Sequence, residues 1–342
     1  MSLIENKVKY LTFPLRTSSC KSYLDLVREK FEILQDVLTI YIENNVLKKK
    51  SINNLEGICS KIFQIVDLYH SGKAGEAYNV LDKLLNEYCS ALKSSYIDID
   101  TEFYRMRISD DTLYNKKEMF HIPFDSRHLV ENQRYSISGL PCLYLGSSHF
   151  ICWYELNKPN FNNLYSSGFK TLRSLCFLDL SEDITILEEL ENETDIYNFI
   201  LYYPIIIACN VKTKYSNAKF NDEYIIPNLL LEWVLKNEKY NGIKYTSVKY
   251  YNNRFKNKLS NYVLPPKVFK QDYCSEIANL FEITYPQSFA ILMFGPNTGD
   301  IIAYQTVSGK DAESALLETY NTTVFGITED IIKSLEHNKL NE

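Results

Sequence analysis

From Lys21 to about Asn44, apolar residues fall at Leu24, Val27, Phe31, Leu34 and Leu38. Steps of three and four place them on one face of a helix several turns long, and "TSSC" just before it supplies capping hydroxyls. Ile58, Ile62, Ile65, Val66 and Tyr69 mark a second helix, "HSGKAG" interrupts the pattern, and Ala77, Val80, Leu81, Leu84, Tyr88 and Leu92 mark a third. Residues 1–95 therefore read as an N-terminal helical region.

Beyond "SSYIDID" the pattern changes to short runs of Tyr, Ile, Phe, Leu and Val bounded by polar residues. "TEFYRMRI", "LPCLYLG", "SLCFLDL", "YYPIIIACNV", "GIKYTSVKYY" and "SFAILMFG" are each predicted as strands. Between them, "SSHFICWYE" predicts a helix capped by Ser147 or Ser148. "IPNLLLEWVLKNEKY" predicts another, ended by Asn241 and Gly242. Strands and helices do not alternate regularly, which argues for an α+β fold and against a doubly wound parallel sheet. The acidic run "SEDITILEELENETD", 181–195, reads as a solvated surface segment, and "FGPNTGD", 294–300, as a hairpin turn.

Composition narrows the function classes. The chain has 342 residues, 45% of them apolar and 23% charged, with a net charge of −6. Those are ordinary globular proportions, and no excess of basic charge points to duplex nucleic acid. "KYYNNRFKNKLSNY", 249–262, interleaves lysines with tyrosines but reads as a solvated loop, so nucleic acid is not the expected partner. Nothing approaches the roughly 18–20 apolar residues of a membrane span, and "MSLIENKVKY" lacks the apolar core of a secretory signal. A cytoplasmic protein with no membrane partner is expected. The eight cysteines are scattered without a Cys-x-x-Cys pair and read as buried, reduced thiols.

The five histidines and these cysteines do not match metal-ligand spacings, and no Gly-x-Ser-x-Gly elbow or phosphate loop is present. No metal is expected. What remains is "RYSISGLPCLYLGSSHFICWYEL", 134–156, with Arg134 and Glu155 at the ends of an otherwise core-like strand and helix. Gly139 suits a turn between them. Arg105 in "FYRMR" and Ser247 in "GIKYTSVKY" are further polar residues set in predicted strands. His121 and Arg127 read as parts of a packed loop.

Arg134, Tyr135, Gly139, Tyr144 and Glu155 resemble, at the same offsets, the central pattern of the RES domain family, named for its arginine, glutamate and serine. Tyr104 and Arg105 match the family's opening tyrosine–arginine strand, and the helix, Asn-Gly-Ile and strand around "NGIKYTSVKY" put the family serine at Ser247. The likeness covers roughly residues 100–265. Where the family often carries Trp-Asn after the second arginine, this chain has Tyr135 and Ser136.

The resemblance implies an ADP-ribosyltransferase-like mixed β-sheet core; the N-terminal helical region read over 1–95 and the tail after about 270 lie outside the short family core, and an NAD-binding catalytic domain is expected over 96–335. It implies an enzyme that consumes NAD by hydrolysis, phosphorolysis or ADP-ribosyl transfer to a protein, acting as a toxin or growth-arrest effector with a possible antitoxin. The non-catalytic alternative is a RES-like nucleotide-sensing or partner-binding module. The implied catalytic set is Glu155, Arg134 and Ser247, and the NAD-binding set is Arg105, Arg134, Tyr144 and Ser247, with Arg107 as a subsidiary cation. Glu155 suits the positive charge that develops on ribose as nicotinamide leaves, and guanidinium forks suit a diphosphate. Arg134 and Glu155 are expected to face one cleft.

Overall fold

The computed structural model describes residues 3–15, 22–109, 113–215, 218–269, 272–293 and 310–341. In chain order the main elements are helices α1 (Tyr23–Glu43), α2 (Lys50–His70) and α3 (Ala74–Glu87), then strands β1 (Glu102–Ile108) and β2 (Leu143–Gly146). Helix α4 (His149–Glu155), strands β3 (Leu164–Thr171) and β4 (Leu175–Leu180), and helices α5 (Glu193–Cys209) and α6 (Ile225–Lys236) follow. Strands β5 (Gly242–Thr246), β6 (Ser260–Leu264) and β7 (Phe281–Thr284), helix α7 (Val324–Ser334) and the two-residue strand β8 (His337–Asn338) complete them. The chain is thus mixed α+β, its strands paired mostly antiparallel. Among the described residues no helix is long and apolar enough to cross a membrane.

Two compact units divide the chain. The first holds residues 1–95, 131–138 and 177–248, so the helical region expected over 1–95 shares its unit with two later segments. Helices α1 and α2 bury Val27, Phe31, Leu34 and Leu38 of one predicted stripe and Ile58, Ile62, Ile65 and Val66 of the other in a common core. Leu26 and Leu55 join them, while Leu24 and Tyr69 are only partly buried. Helix α5 runs through that core, buried at every position from Phe199 to Cys209. Strands β4 and β5 pair in parallel from Phe177 opposite Gly242 to Leu180 opposite Tyr245.

The second unit holds residues 96–130, 139–176 and 249–342. Its sheet is antiparallel throughout, in the order β6–β2–β1–β3–β7–β8. Side chains alternate across a strand, so β1 sends Tyr104 and Met106 into the apolar core that includes α4 and α7, and Phe103, Arg105 and Arg107 to the opposite face. Gly146 ends β2 where α4 crosses closely: a Cβ there would stand 2.5 Å from Cys152 Sγ and 2.9 Å from Ile151 Cγ2. Glycine is what lets this helix lie against its own strand.

Several expectations need correction. "YYPIIIACNV" is the second half of helix α5, and "SFAILMFG" begins with the helical segment Phe289–Met293. The α5 run is apolar on all sides because it is enclosed on all sides, which erases helical periodicity. Phe289–Met293 instead buries Phe289 and Leu292, exposes Ile291 and is too short to show a period. The cap of α1 is Ser22, in a reciprocal capping box with Asp25, rather than "TSSC". The start of the acidic run is interior: Ser181, Glu182 and Asp183 are buried, while residues 191–195 are exposed. Asp183 accepts from the backbone N–H groups of Phe13 and Thr185, and Glu182 pairs with Lys93 at 2.9 Å. The turn read at 294–300 lies outside the described residues.

Candidate functional site

The residues singled out from sequence divide between the units: Arg134 and Ser247 lie in the first, Arg105, Tyr144 and Glu155 in the second. The five do not all belong to one compact unit.

In the first unit, Arg134 serves the end of helix α5. The last four carbonyls of a helix lack intrahelical donors and must be satisfied otherwise. Here Asn210 donates to Ile206 and Ile207 through its backbone N–H, and to Ile206 again through Nδ2 at 2.9 Å. The Tyr23 hydroxyl donates to Ala208 O at 2.9 Å, and Arg134 Nη1 donates to Cys209 O at 2.7 Å. Arg134 Nη2 continues to Val211 O at 2.7 Å, and the guanidinium also lies over the Tyr224 ring, 5.4 Å from its centroid. A cation at a helix C-terminus is favoured by the helix dipole as well. Arg134 was expected as a free fork for phosphate; its two terminal nitrogens are instead taken by backbone oxygens. Its neighbour Tyr135 packs on Tyr245 of β5, with centroids 4.6 Å apart, and Ser247 is wholly buried just beyond that strand.

In the second unit, Arg105, Tyr144 and Glu155 all lie about the short strand β2, with Tyr144 and Glu155 on the α4 side of the sheet and Arg105 on the other face. The β1–β2 ladder has Tyr104 opposite Gly146. Arg105 Nη1 donates to Tyr144 O at 3.2 Å, attaching the guanidinium to the β2 backbone. Burial, reinforced by the nearby Arg107, pushes Arg105 down to about 10, which leaves it protonated at neutral pH. Among the described residues no carboxylate pairs with it, and its buried Nε–H has no hydrogen-bond partner. Arg107 is occupied differently, donating to Glu118 O at 2.5 Å and lying over Tyr114.

Glu155 ends helix α4 as expected, and the helix begins on Ser148, whose Oγ accepts from Ile151 N at 3.2 Å. Asn261 of β6, paired in register with Gly146, donates through Nδ2 to Glu155 Oε1 at 2.9 Å. Lys249 reaches the backbone oxygen of Glu155 at 2.5 Å and its Oε2 at 3.5 Å. The carboxylate is one-third exposed and held at two points. Lys249 and Asn261 both lie in the stretch read as a solvated loop. Their part in the site carried no sequence signal beyond the basic residues in that run.

Two histidines near these residues are structural. His121 Nε2 accepts from Cys274 N–H at 2.9 Å, so Nδ1 carries the proton and donates to Ile122 O at 2.7 Å. Burial pushes it down to about 4. In His149, Thr328 Oγ1 already donates to Val324 O, so Nδ1–H donates to that hydroxyl at 2.8 Å and Nε2 accepts from Ser166 Oγ at 2.8 Å. Its burial pushes it down to about 3. Neither ring is free to carry protons for chemistry at neutral pH.

No family model matches the chain, and no solved structure matches it significantly. Over 284 residues it is 35% identical to the Bacillus subtilis (strain 168) protein named "Putative toxin YopC", a match covering 74% of this chain and 64% of that relative. The chain thus spans just under two thirds of the length of a protein whose printed name calls it a toxin.

Proposed function

We propose that this protein is a toxin that consumes NAD by cleaving the bond between nicotinamide and ribose. The observation that carries the reading is Arg105: a largely desolvated guanidinium with no carboxylate partner among the described residues and an unsatisfied buried N–H. Burying such a group without compensation is costly, and an anionic ligand is the natural compensation. The resemblance to the RES family and the likeness to a protein named as a toxin support the same reading.

In this account Arg105 binds the diphosphate on the sheet face turned away from the core that includes α4. Glu155 is the catalytic residue. Its carboxylate, fixed by Asn261, stabilises positive charge on the sugar more in the transition state than in the ground state. Nicotinamide leaves neutral, so no general acid is needed, which suits a site whose neighbouring histidines are locked. Arg134 holds the end of α5 and is not a ligand in this account. The acceptor is water, phosphate or a protein side chain. A separate antitoxin that covers the site is the expected partner.

One observation favours a binding-only module: Lys249 lies 3.5 Å from the Glu155 carboxylate and offsets the charge that catalysis would use. Incubating the protein with NAD and measuring free nicotinamide separates the readings. Release that depends on Glu155 supports the enzyme; unchanged NAD with and without phosphate, cell extract and candidate targets supports the module.

A further inference from the structure

Opposite Arg105 on the neighbouring strand stands Ser167, its register partner across the β1–β3 ladder. Directly opposed residues of an antiparallel pair project from the same face, with Cα atoms about 4.5–5.5 Å apart. Ser167 is completely buried, and its Oγ has no hydrogen-bond partner. Arg105 Nε, buried on the same face, has none either, and the two do not bond to each other. Buried polar atoms are nearly always paired, so two opposed residues each leaving one open need an explanation. Both atoms can donate, and Arg107 adds further positive charge beside Arg105. His121 does not compete for a ligand, because both of its ring nitrogens are already bonded.

We propose that Ser167 and Arg105 together form an oxyanion subsite that takes one phosphate group, the serine hydroxyl and Nε–H each donating to a phosphate oxygen. This rests on, and deepens, the reading of Arg105 as the diphosphate-binding residue; Ser167 was not among the residues picked out by sequence. Its role is in binding, not bond cleavage.

The test compares pyrophosphate and inorganic phosphate binding, at fixed ionic strength, to the full chain and to its Ser167→Ala and Arg105→Lys variants, with thermal stability measured alongside. Ser167→Ala is expected to weaken pyrophosphate binding about tenfold, the size of one lost hydrogen bond to a charged group, while melting no earlier than the parent. Removing an unpartnered buried hydroxyl costs the fold little. Arg105→Lys, which loses the Nε donor and the planar fork, is expected to weaken binding at least as much. Pyrophosphate affinity unchanged by Ser167→Ala overturns the proposal, as does failure of the parent to bind either anion. Lost stability with unchanged affinity also overturns it, assigning the hydroxyl to a structural water instead. If NAD proves inert but Ser167→Ala still weakens pyrophosphate binding, the subsite stands and the cleavage reading falls. If NAD is cleaved and the variant binds both anions as the parent does, the reverse holds.

Discussion

Asn261 holds Glu155: its Nδ2 donates to the carboxylate Oε1 at 2.9 Å, joining the last residue of helix α4 to strand β6. β6 is paired with β2, the strand that leads into α4, so this bond closes a small loop of structure around the carboxylate. Asn261→Ala should therefore release Glu155 without removing its charge. Under the proposed activity, kcat for nicotinamide release should fall about tenfold or more with little change in KM. An equal rise in KM with kcat intact would make Asn261 a substrate contact rather than a positioning residue.

Arg134 makes a different prediction, about stability. Arg134→Ala leaves the Cys209 and Val211 carbonyls without their guanidinium donor at the buried end of α5. A loss on the order of 3 kcal/mol is expected in denaturant unfolding. Arg134→Lys should recover only part of it, because one ammonium cannot reproduce the planar fork. Full stability in both variants would contradict the capping role.

The structure also makes a pH prediction. His149 is pushed down to about 3 and His121 to about 4, each first by burial, while both titrate near 6.5 when unfolded. Below 6.5 the unfolded chain binds protons that the folded chain refuses. Their contribution is thus complete above about pH 6.5 and is lost as pH falls toward 4 and then 3. Glu329 opposes this trend in part. Burial raises its carboxyl, so its contribution is present below the unfolded carboxyl range and fades as pH rises through its folded value. Asp183, also raised first by burial, opposes it in the same sense, so the histidine loss is read most cleanly above the carboxyl range. His121→Gln should flatten the profile between pH 6.5 and 4 in denaturant titrations; an unchanged slope would contradict the locked-histidine account.

How much of this was legible in the sequence follows from which interactions are local. The stripes of α1 and α2 show plainly because each helix has one buried face and one wet face. Helix α4 and its Ser148 cap were readable for the same reason, since a cap lies beside what it caps. Helix α5 was not, because enclosure on all sides leaves no polar face to set the period. Asp183 and Glu182 looked solvated because a charge run does not reveal that Phe13 and Lys93 supply their partners from far along the chain. Arg134 carries the same lesson at the site: its carbonyl partners lie about 75 residues away, and no spacing rule links them. Glu155 and Arg105 could be named from the family pattern, but Asn261, Lys249 and Ser167 emerge only when strands are put in register.

The most direct measurement is nicotinamide released from NAD by the purified protein and by its Glu155→Ala variant, quantified by mass spectrometry. The carboxylate is partly exposed and ends its helix, so the variant should fold and melt close to the parent. The account predicts release by the parent and a loss of about a hundredfold or more in the variant. Equal rates in the two, or NAD left intact by the parent with phosphate, cell extract and candidate protein targets supplied, would contradict it.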